Sequence, residues 1–389
     1  MFSHRTNWSL SPNTLTRAIE EARTSGQKIL DLTVSNPTEA GVRPDSEIVL
    51  AALANPAAMH YDPQPRGLLE ARQAVCRYYR ESHEVFELDP ERLVLTTSTS
   101  EAYSYVFRLL CNAGDEILVP KPSYPLFEFL ADLADVKLVP YPLLYDHGWQ
   151  IDFDSLCKAA TPRTRAVILV HPNNPTGSYV SASETSALNA FCRDSGTALI
   201  VDEVFLDYAH NGVPRSSFLT NAEALTFTLS GISKISALPQ MKLAWVATCG
   251  PKELVVEAGA RLEIIADTYL SMNAPVQLAA PVLLDQRKQI QPILRDRLRV
   301  NLAELDNQLA SRPSCVRLLV EGGWYVVLRV PAIESDEDLA IRLLREARVS
   351  VHPGHFYDFQ SEGHLVLSLI TEPANFREGV GRLLNVVGV

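Results

Sequence analysis

Short, nearly unbroken apolar runs alternate with amphipathic segments through the middle of this chain, and no other feature restricts its fold as much. Residues 93–95, 116–120, 166–170 and 198–201 are runs of this kind, rich in Val, Ile and Leu, with too few polar residues to mark a solvent face. Such runs read as strands buried on both sides. Segments 101–111 and 184–195 carry apolar residues at helical spacing between them. Strands covered on both faces and joined through helices make a mainly parallel sheet with helices packed against it. The expected fold class is therefore α/β.

From about Ala274 the pattern changes. Leu294, Leu298, Leu302, Leu305 and Leu309 recur at intervals of three or four, and then come a strand (324–330), a helix (337–347) and a strand (365–369). This reads as a smaller α+β domain joined by a helix. A chain of 389 residues is long for one domain. We expect a large domain over 46–275 and a small one from 1–45 together with 276–389. A formal charge of −11 offers no basic stripe for nucleic acid. Cys76, Cys111, Cys157, Cys192, Cys249 and Cys315 are scattered singly, so neither a metal site nor a disulfide framework is expected. Residues 1–12 lack a signal-like apolar core, and no apolar run reaches membrane-spanning length. The expectation is a soluble, cytoplasmic protein with no membrane partner.

Polar residues stand where such a fold does chemistry, at the carboxyl ends of its strands. Strand 93–95 runs into Thr96-Thr97-Ser98-Thr99-Ser100-Glu101-Ala102 at a helix start. Hydroxyls and free N–H groups there can receive an anion, helped by the helix dipole, although the same residues also make an ordinary N-cap. Pro122-Ser123-Tyr124-Pro125 presents an aromatic at a turn, to lie on a planar ligand or to pack. In His171-Pro172-Asn173-Asn174-Pro175-Thr176-Gly177 the prolines stiffen the backbone around Asn174, whose amide can be aimed at a fixed oxygen. Asp202 ends the run Leu199-Ile200-Val201, where a carboxylate is costly unless paired. Lys234 follows Ser233 among Leu229, Ile232, Ile235 and Leu238, and desolvation there would lower its pKa. Taken alone, a lysine is usually a surface group and an aspartate often a cap or loop residue.

Together these residues supply a cup for a phosphate, a carboxylate for a ring nitrogen, a flat partner for the ring and an amine for an aldehyde. Pyridoxal 5′-phosphate (PLP), which provides an electron sink for chemistry at an amino acid Cα, needs these four parts. Lys234 is read as carrying it in a Schiff base.

The chain resembles the fold type I PLP aminotransferases of class I/II, which include the aspartate and aromatic aminotransferases. The resemblance runs through Ser35-Asn36-Pro37, Tyr61, Arg66-Gly67-Leu68, Ser98-Thr99-Ser100-Glu101-Ala102, Gly114-Asp115-Glu116, Pro122-Ser123-Tyr124-Pro125, Asn174-Pro175-Thr176-Gly177, Asp202-Glu203, Ser233-Lys234, Gly322-Gly323-Trp324-Tyr325 and Pro353-Gly354. By matched position it implies Lys234 as Schiff-base lysine and general acid/base, Asp202 on the pyridine nitrogen, Asn174 on the ring's phenolic oxygen and Tyr124 stacked on the ring. It implies Ser98, Thr99, Ser100 and Ser233 around the phosphate, with Tyr61 reaching in from the other subunit of a homodimer. The implied reaction is ping-pong transfer of an amino group from an amino acid or related amine to a 2-oxo acid.

Three positions depart from the family pattern. Lys242, eight residues after Lys234, stands where the family usually has an arginine on the phosphate, and it lacks the bidentate fork. Phe205 replaces a tyrosine that donates to the phenolic oxygen. Leu365-Val366-Leu367-Ser368 has valine where the family's L-R-L-S carries the substrate-carboxylate arginine. Asn36 and Arg66 are the candidate substrate-binding residues, with Arg43, Arg329, His352 and His355 as other sources of charge. The missing arginine also leaves open a PLP-dependent lyase or decarboxylase. A nicotinamide dehydrogenase is excluded, because no G-x-G-x-x-G follows the first strand.

Overall fold

The computed structural model describes residues 1–24, 26, 28–210 and 215–387. Its strands are β1 (Leu30–Asp31), β2 (Leu93–Thr96), β3 (Glu116–Lys121), β4 (Lys137–Tyr145), β5 (Trp149–Ile151), β6 (Thr164–Val170), β7 (Ala198–Asp202), β8 (Thr226–Gly231), β9 (Ala244–Cys249), β10 (Val316–Arg317), β11 (Tyr325–Arg329), β12 (Val349–Ser350), β13 (His352–Pro353) and β14 (His364–Ser368). Eight form one sheet in the order β2-β9-β8-β7-β6-β3-β4-β5. The run β8-β7-β6-β3-β4 is parallel, whereas β9 lies antiparallel to both β2 and β8 and β5 antiparallel to β4.

The period-two rule decides which residues meet which helices. Ile117, Val119, Ala166, Ile168, Val170, Ala198 and Ile200 pack with Tyr103, Val106 and Phe107 of helix Thr99–Leu110 and with Leu262 of helix Lys252–Tyr269. Their neighbours Leu118, Val167, Leu169, Leu199 and Val201 pack on the other face, with Leu188 and Cys192 of helix Ala182–Ser195. Both faces are dry, which is why the strand sequences lack alternation.

A second, antiparallel sheet has the order β10-β11-β14-β13, and β1 pairs in parallel with β12 beside it. Leu294, Leu298 and Leu305 of helix Arg287–Leu309 and Phe376, Val380 and Leu383 of helix Pro373–Val387 cover it. The helical stretch expected from Ala274 is two helices, Ala274–Asp285 and Arg287–Leu309, separated at Gln286. Helix Thr14–Thr24 and β1 pack on this smaller unit, whereas the first residues reach the large one. Arg5 and Trp8 donate to Asp135 and Asp132 (2.7 and 2.8 Å), and the Trp8 ring meets Phe129 edge-on. An indole N–H and a guanidinium both seek acceptors, and these carboxylates lie at the end of helix Phe127–Leu133.

The two sheets are tied through Gly177. Its carbonyl accepts from the Gly322 amide (3.0 Å), and the Gly323 amide donates to Tyr208 O (2.9 Å). Gly177 has φ +70°, and a Cβ there would run into Val320 and the Gly322 carbonyl, so only glycine permits this approach.

Candidate active site

Strand register gathers the carboxyl ends of four strands on one edge. Thr96, Ala244 and Gly231 are aligned across β2, β9 and β8, and Val170, Asp202 and Leu229 across β6, β7 and β8. Asp202 is the last residue of β7, Asn174 lies in the loop after β6, and Ser233 and Lys234 sit in the short helix Ile232–Ile235 after β8. Gly231 allows that helix to start against β9, since a Cβ would come within 2.8 Å of Ala244 Cβ and 2.9 Å of Leu243 O.

The Lys234 amine lies 4.9 Å from the Trp324 ring centre and 5.7 Å from that of Phe205. Burial pulls its pKa down to about 8, against the opposing charge of Asp202. Burial pushes Asp202 up to about 6, although the Val204 amide (3.1 Å), the Tyr103 hydroxyl (3.2 Å) and Lys234 all favour its charged form. Glu203 points away, to Ser217 Oγ and the Phe218 amide, both 2.7 Å, and burial raises it to about 7. An amine and a carboxyl group, each shifted toward neutrality, thus share one sheet edge, suited to forming and protonating a carbon–nitrogen linkage.

Asn174 is buried, and its amide Oδ1 has no hydrogen-bond partner. Buried amides are normally satisfied, so an orphan here leaves room for a ligand atom. The Tyr124 ring is 43% exposed, and the Asp202 charge adds to the burial that raises its pKa. Ser98 caps helix Thr99–Leu110, accepting from the Glu101 amide at 3.2 Å, while Thr99 and Ser100 form the first turn; all three are half-buried. The N-cap reading of this segment therefore holds, and the cap leaves the Ser98 hydroxyl proton free to donate. Lys242 is exposed just before β9, with φ +56°.

Other predicted residues are drawn elsewhere. Tyr61 is 78% exposed and lines a hollow of about 510 Å³ with Tyr105, Ser271 and Gln277, whose walls include neither Lys234 nor Asp202. Asn36 Oδ1 is taken by the Thr38 amide and hydroxyl (3.0 and 2.7 Å). Arg66 is bound to Glu263 through two nitrogens (3.0 and 2.7 Å) and to the Glu91 carbonyl. Arg43, Arg329 and His355 are exposed. Val366 is fully buried in β14 between Val327 and His352.

Sequence reasoning gave no role to Tyr103, Trp324, Tyr325 or Tyr357. Tyr103 looks like any aromatic on a buried helix face, and its bond to Asp202 spans 99 residues of chain. Trp324 and Tyr325 stood in a quoted motif, Gly322-Gly323-Trp324-Tyr325, which was a signal that they approach the site.

A lysine and an aspartate at the carboxyl edge of such a sheet, beside a capped helix start, define the fold type I class of PLP enzymes. Residues 27–383 match the family described as aminotransferase class I and II, and the chain belongs to it. It is similar to the glutamate-pyruvate aminotransferase AlaA of Haemophilus influenzae, with 26% identity over 92% of this chain and 90% of that protein. It is also similar to the alanine aminotransferase of Mycobacterium tuberculosis, with 27% identity over 92% and 86%. The fold matches that of the alanine aminotransferase from Pyrococcus furiosus, with a TM-score of 0.86, 23% identity and coverage of 100% and 99%. The chain is a PLP-dependent aminotransferase, and the lyase or decarboxylase alternative is not favoured. The open Tyr124 ring, the half-buried hydroxyls at the helix start and Lys234, drawn toward neutrality by burial beside Asp202, fit that coenzyme.

Proposed function

We propose that Lys234 is the catalytic residue and would hold PLP through its amine, and that the enzyme moves the nitrogen of a small α-amino acid to a 2-oxo acid. Relatives named for alanine, glutamate and pyruvate support that substrate class. When bound, PLP supplies an electron sink for the Cα–H bond. Asp202 holds the ring nitrogen and is itself oriented by Tyr103. Asn174 donates to the ring's phenolic oxygen, and Tyr124 covers one ring face. Ser98, Thr99, Ser100, Ser233 and Lys242 surround the phosphate, joined by Tyr61 of a second copy in a homodimer whose active sites are shared. Lys234, freed by the substrate, moves the proton at Cα, a task favoured by a pKa near the working pH. Residues 46–275 carry the coenzyme, 1–45 with 276–389 form the substrate-side domain, and the enzyme works in the cytoplasm. No helix among the described residues is long and apolar enough to cross a membrane.

One observation carries this reading: Asp202 ends β7 and Lys234 follows the neighbouring β8, on one carboxyl edge where burial draws both toward neutrality. Borohydride reduction of the coenzyme-loaded protein followed by peptide mapping tests it. The expected result is a pyridoxyl adduct on Lys234, and an unmodified Lys234 would overturn it. A screen of amino donors, following loss of the coenzyme's visible absorbance, then identifies the substrate.

A further inference from the structure

The inner face of the four-stranded sheet is assembled by pairing. In antiparallel strands, residues directly opposite each other project from the same side. Tyr325 is opposite Ser368, Val327 opposite Val366, and His352 opposite Val366 on the other side. These five residues therefore share one face. It looks toward the lysine, because the Tyr325 ring stands 6.3 Å from Phe205, the ring that Lys234 approaches.

This face brings no cation to the lysine. Val366 is fully buried, so the room an arginine stem would need is filled. Burial drives the His352 imidazole down to about 4, leaving it neutral. Arg329 lies on the same face but four residues from Tyr325, about 13 Å along the strand, and is exposed. Lys121, at the end of β3, is paired with Asp358.

The phenols of this face are less firmly tied than several others. Tyr78 donates to Asp207, Tyr103 to Asp202, Tyr141 to Ile168 O, Tyr179 to Leu206 O and Tyr208 to Lys234 O. Tyr325 and Tyr357 are equally buried, at 7% and 3% exposure. Among the described residues Tyr325 has only the Ser35 hydroxyl beside it, and Tyr357 has no partner. The Tyr357 ring stands 5.8 Å from the His352 ring on that face, and the Tyr357 carbonyl accepts from the Ser123 amide (3.0 Å), next to Tyr124. Burial raises both pKa values, which keeps them protonated as donors. The Tyr357 hydroxyl, with no acceptor among the described residues, needs a reason.

We propose that Tyr325 and Tyr357 hold the carboxylate of the substrate, replacing a guanidinium with two neutral phenol donors. This rests on the function proposed above and names the groups that recognise its acid.

The test uses coenzyme-loaded enzyme with matched pairs, L-alanine against ethylamine and L-phenylalanine against phenethylamine, and calorimetric binding of pyruvate. The wild type is expected to prefer the acids. Tyr325→Phe should raise the acid KM and the pyruvate Kd about tenfold to a hundredfold, the usual cost of losing a hydrogen bond to a charged group. The loss should appear with the acids and not with the amines, and the coenzyme's visible spectrum should be kept. Adding Tyr357→Phe should erase the preference for acid over amine. If donors bleach the coenzyme but the acid-to-amine ratio and pyruvate Kd do not change in the variants, the phenol assignment falls alone. If the wild type takes the amines as readily as the acids, it also falls. If no donor bleaches the coenzyme, the function proposed above fails with it.

Discussion

The carboxyl edge of the large sheet and the inner face of the small one solve opposite problems. On the edge, burial pulls ionisable groups toward neutrality, Lys234 to about 8, Asp202 to about 6 and Glu203 to about 7, and both carboxyl groups have hydrogen-bond partners already. On the inner face, the groups near the lysine are neutral, and the Tyr357 hydroxyl waits for an acceptor. A coenzyme that stays bound through many turnovers rewards a site that is complete without the substrate. A substrate that must leave is served by groups that only it completes.

The comparison can be broken most severely at Lys234. Lys234→Ala should remove the borohydride-trapped adduct and lower kcat by on the order of 10²–10⁴, the range that a positioned acid–base group supplies. A loss of less than tenfold would move the chemistry to another residue. Gly177→Ala should destabilise the fold by roughly 2–5 kcal/mol, through a left-handed backbone and a clash with Val320, read as a lowered thermal midpoint. An unchanged midpoint would mean that the two sheets are not fixed through this loop.

The next effect sharpens the electrostatics. Coenzyme uptake by the apo-protein requires a neutral amine, so its rate should climb with pH around a midpoint near 8 and not near 10.5. Asp202→Asn should move that midpoint lower, because the aspartate's charge is what holds the amine's pKa up. It should also weaken turnover by on the order of 10². The linked stability has a definite sign. Between about 8 and 10.5 the folded protein binds fewer protons at Lys234 than the unfolded chain, so this group makes the apo-protein more stable as pH rises there. Asp202 acts the other way between 3.8 and about 6, where the fold binds the extra proton and stability falls as pH rises. The smallest effect belongs to Tyr103→Phe. It removes one bond to Asp202, costs about 1 kcal/mol in stability and raises the carboxyl pKa further. Coenzyme affinity unaltered by this change would show that Asp202 needs no help from Tyr103.

How much could be read from the chain follows the same division. Asp202 stood out as a carboxylate directly after an apolar run, Asn174 as an amide in a proline-stiffened loop after a strand and Lys234 as an amine among apolar neighbours, all visible locally. The alternating faces of β3, β6 and β7 follow from their sequences once the sheet is known to be covered twice. Tyr103, Tyr325 and Tyr357 were illegible because a buried tyrosine and a core aromatic look alike until a partner, or the lack of one, is seen. Arg66 shows the converse: its motif pointed at the substrate, yet Glu263, 197 residues away, holds it. The N-terminal arm, with Trp8 against Phe129, depends on a contact that no local pattern encodes.

Tyr208 has a mechanical consequence. Its carbonyl receives the Gly323 amide at 2.9 Å, while its hydroxyl grips the main-chain oxygen of Lys234 at 2.6 Å. Any rocking of the smaller sheet therefore reaches the lysine's own backbone through a single residue. Seizing an acid on one side of the cleft and adjusting the nitrogen on the other are linked by one short lever.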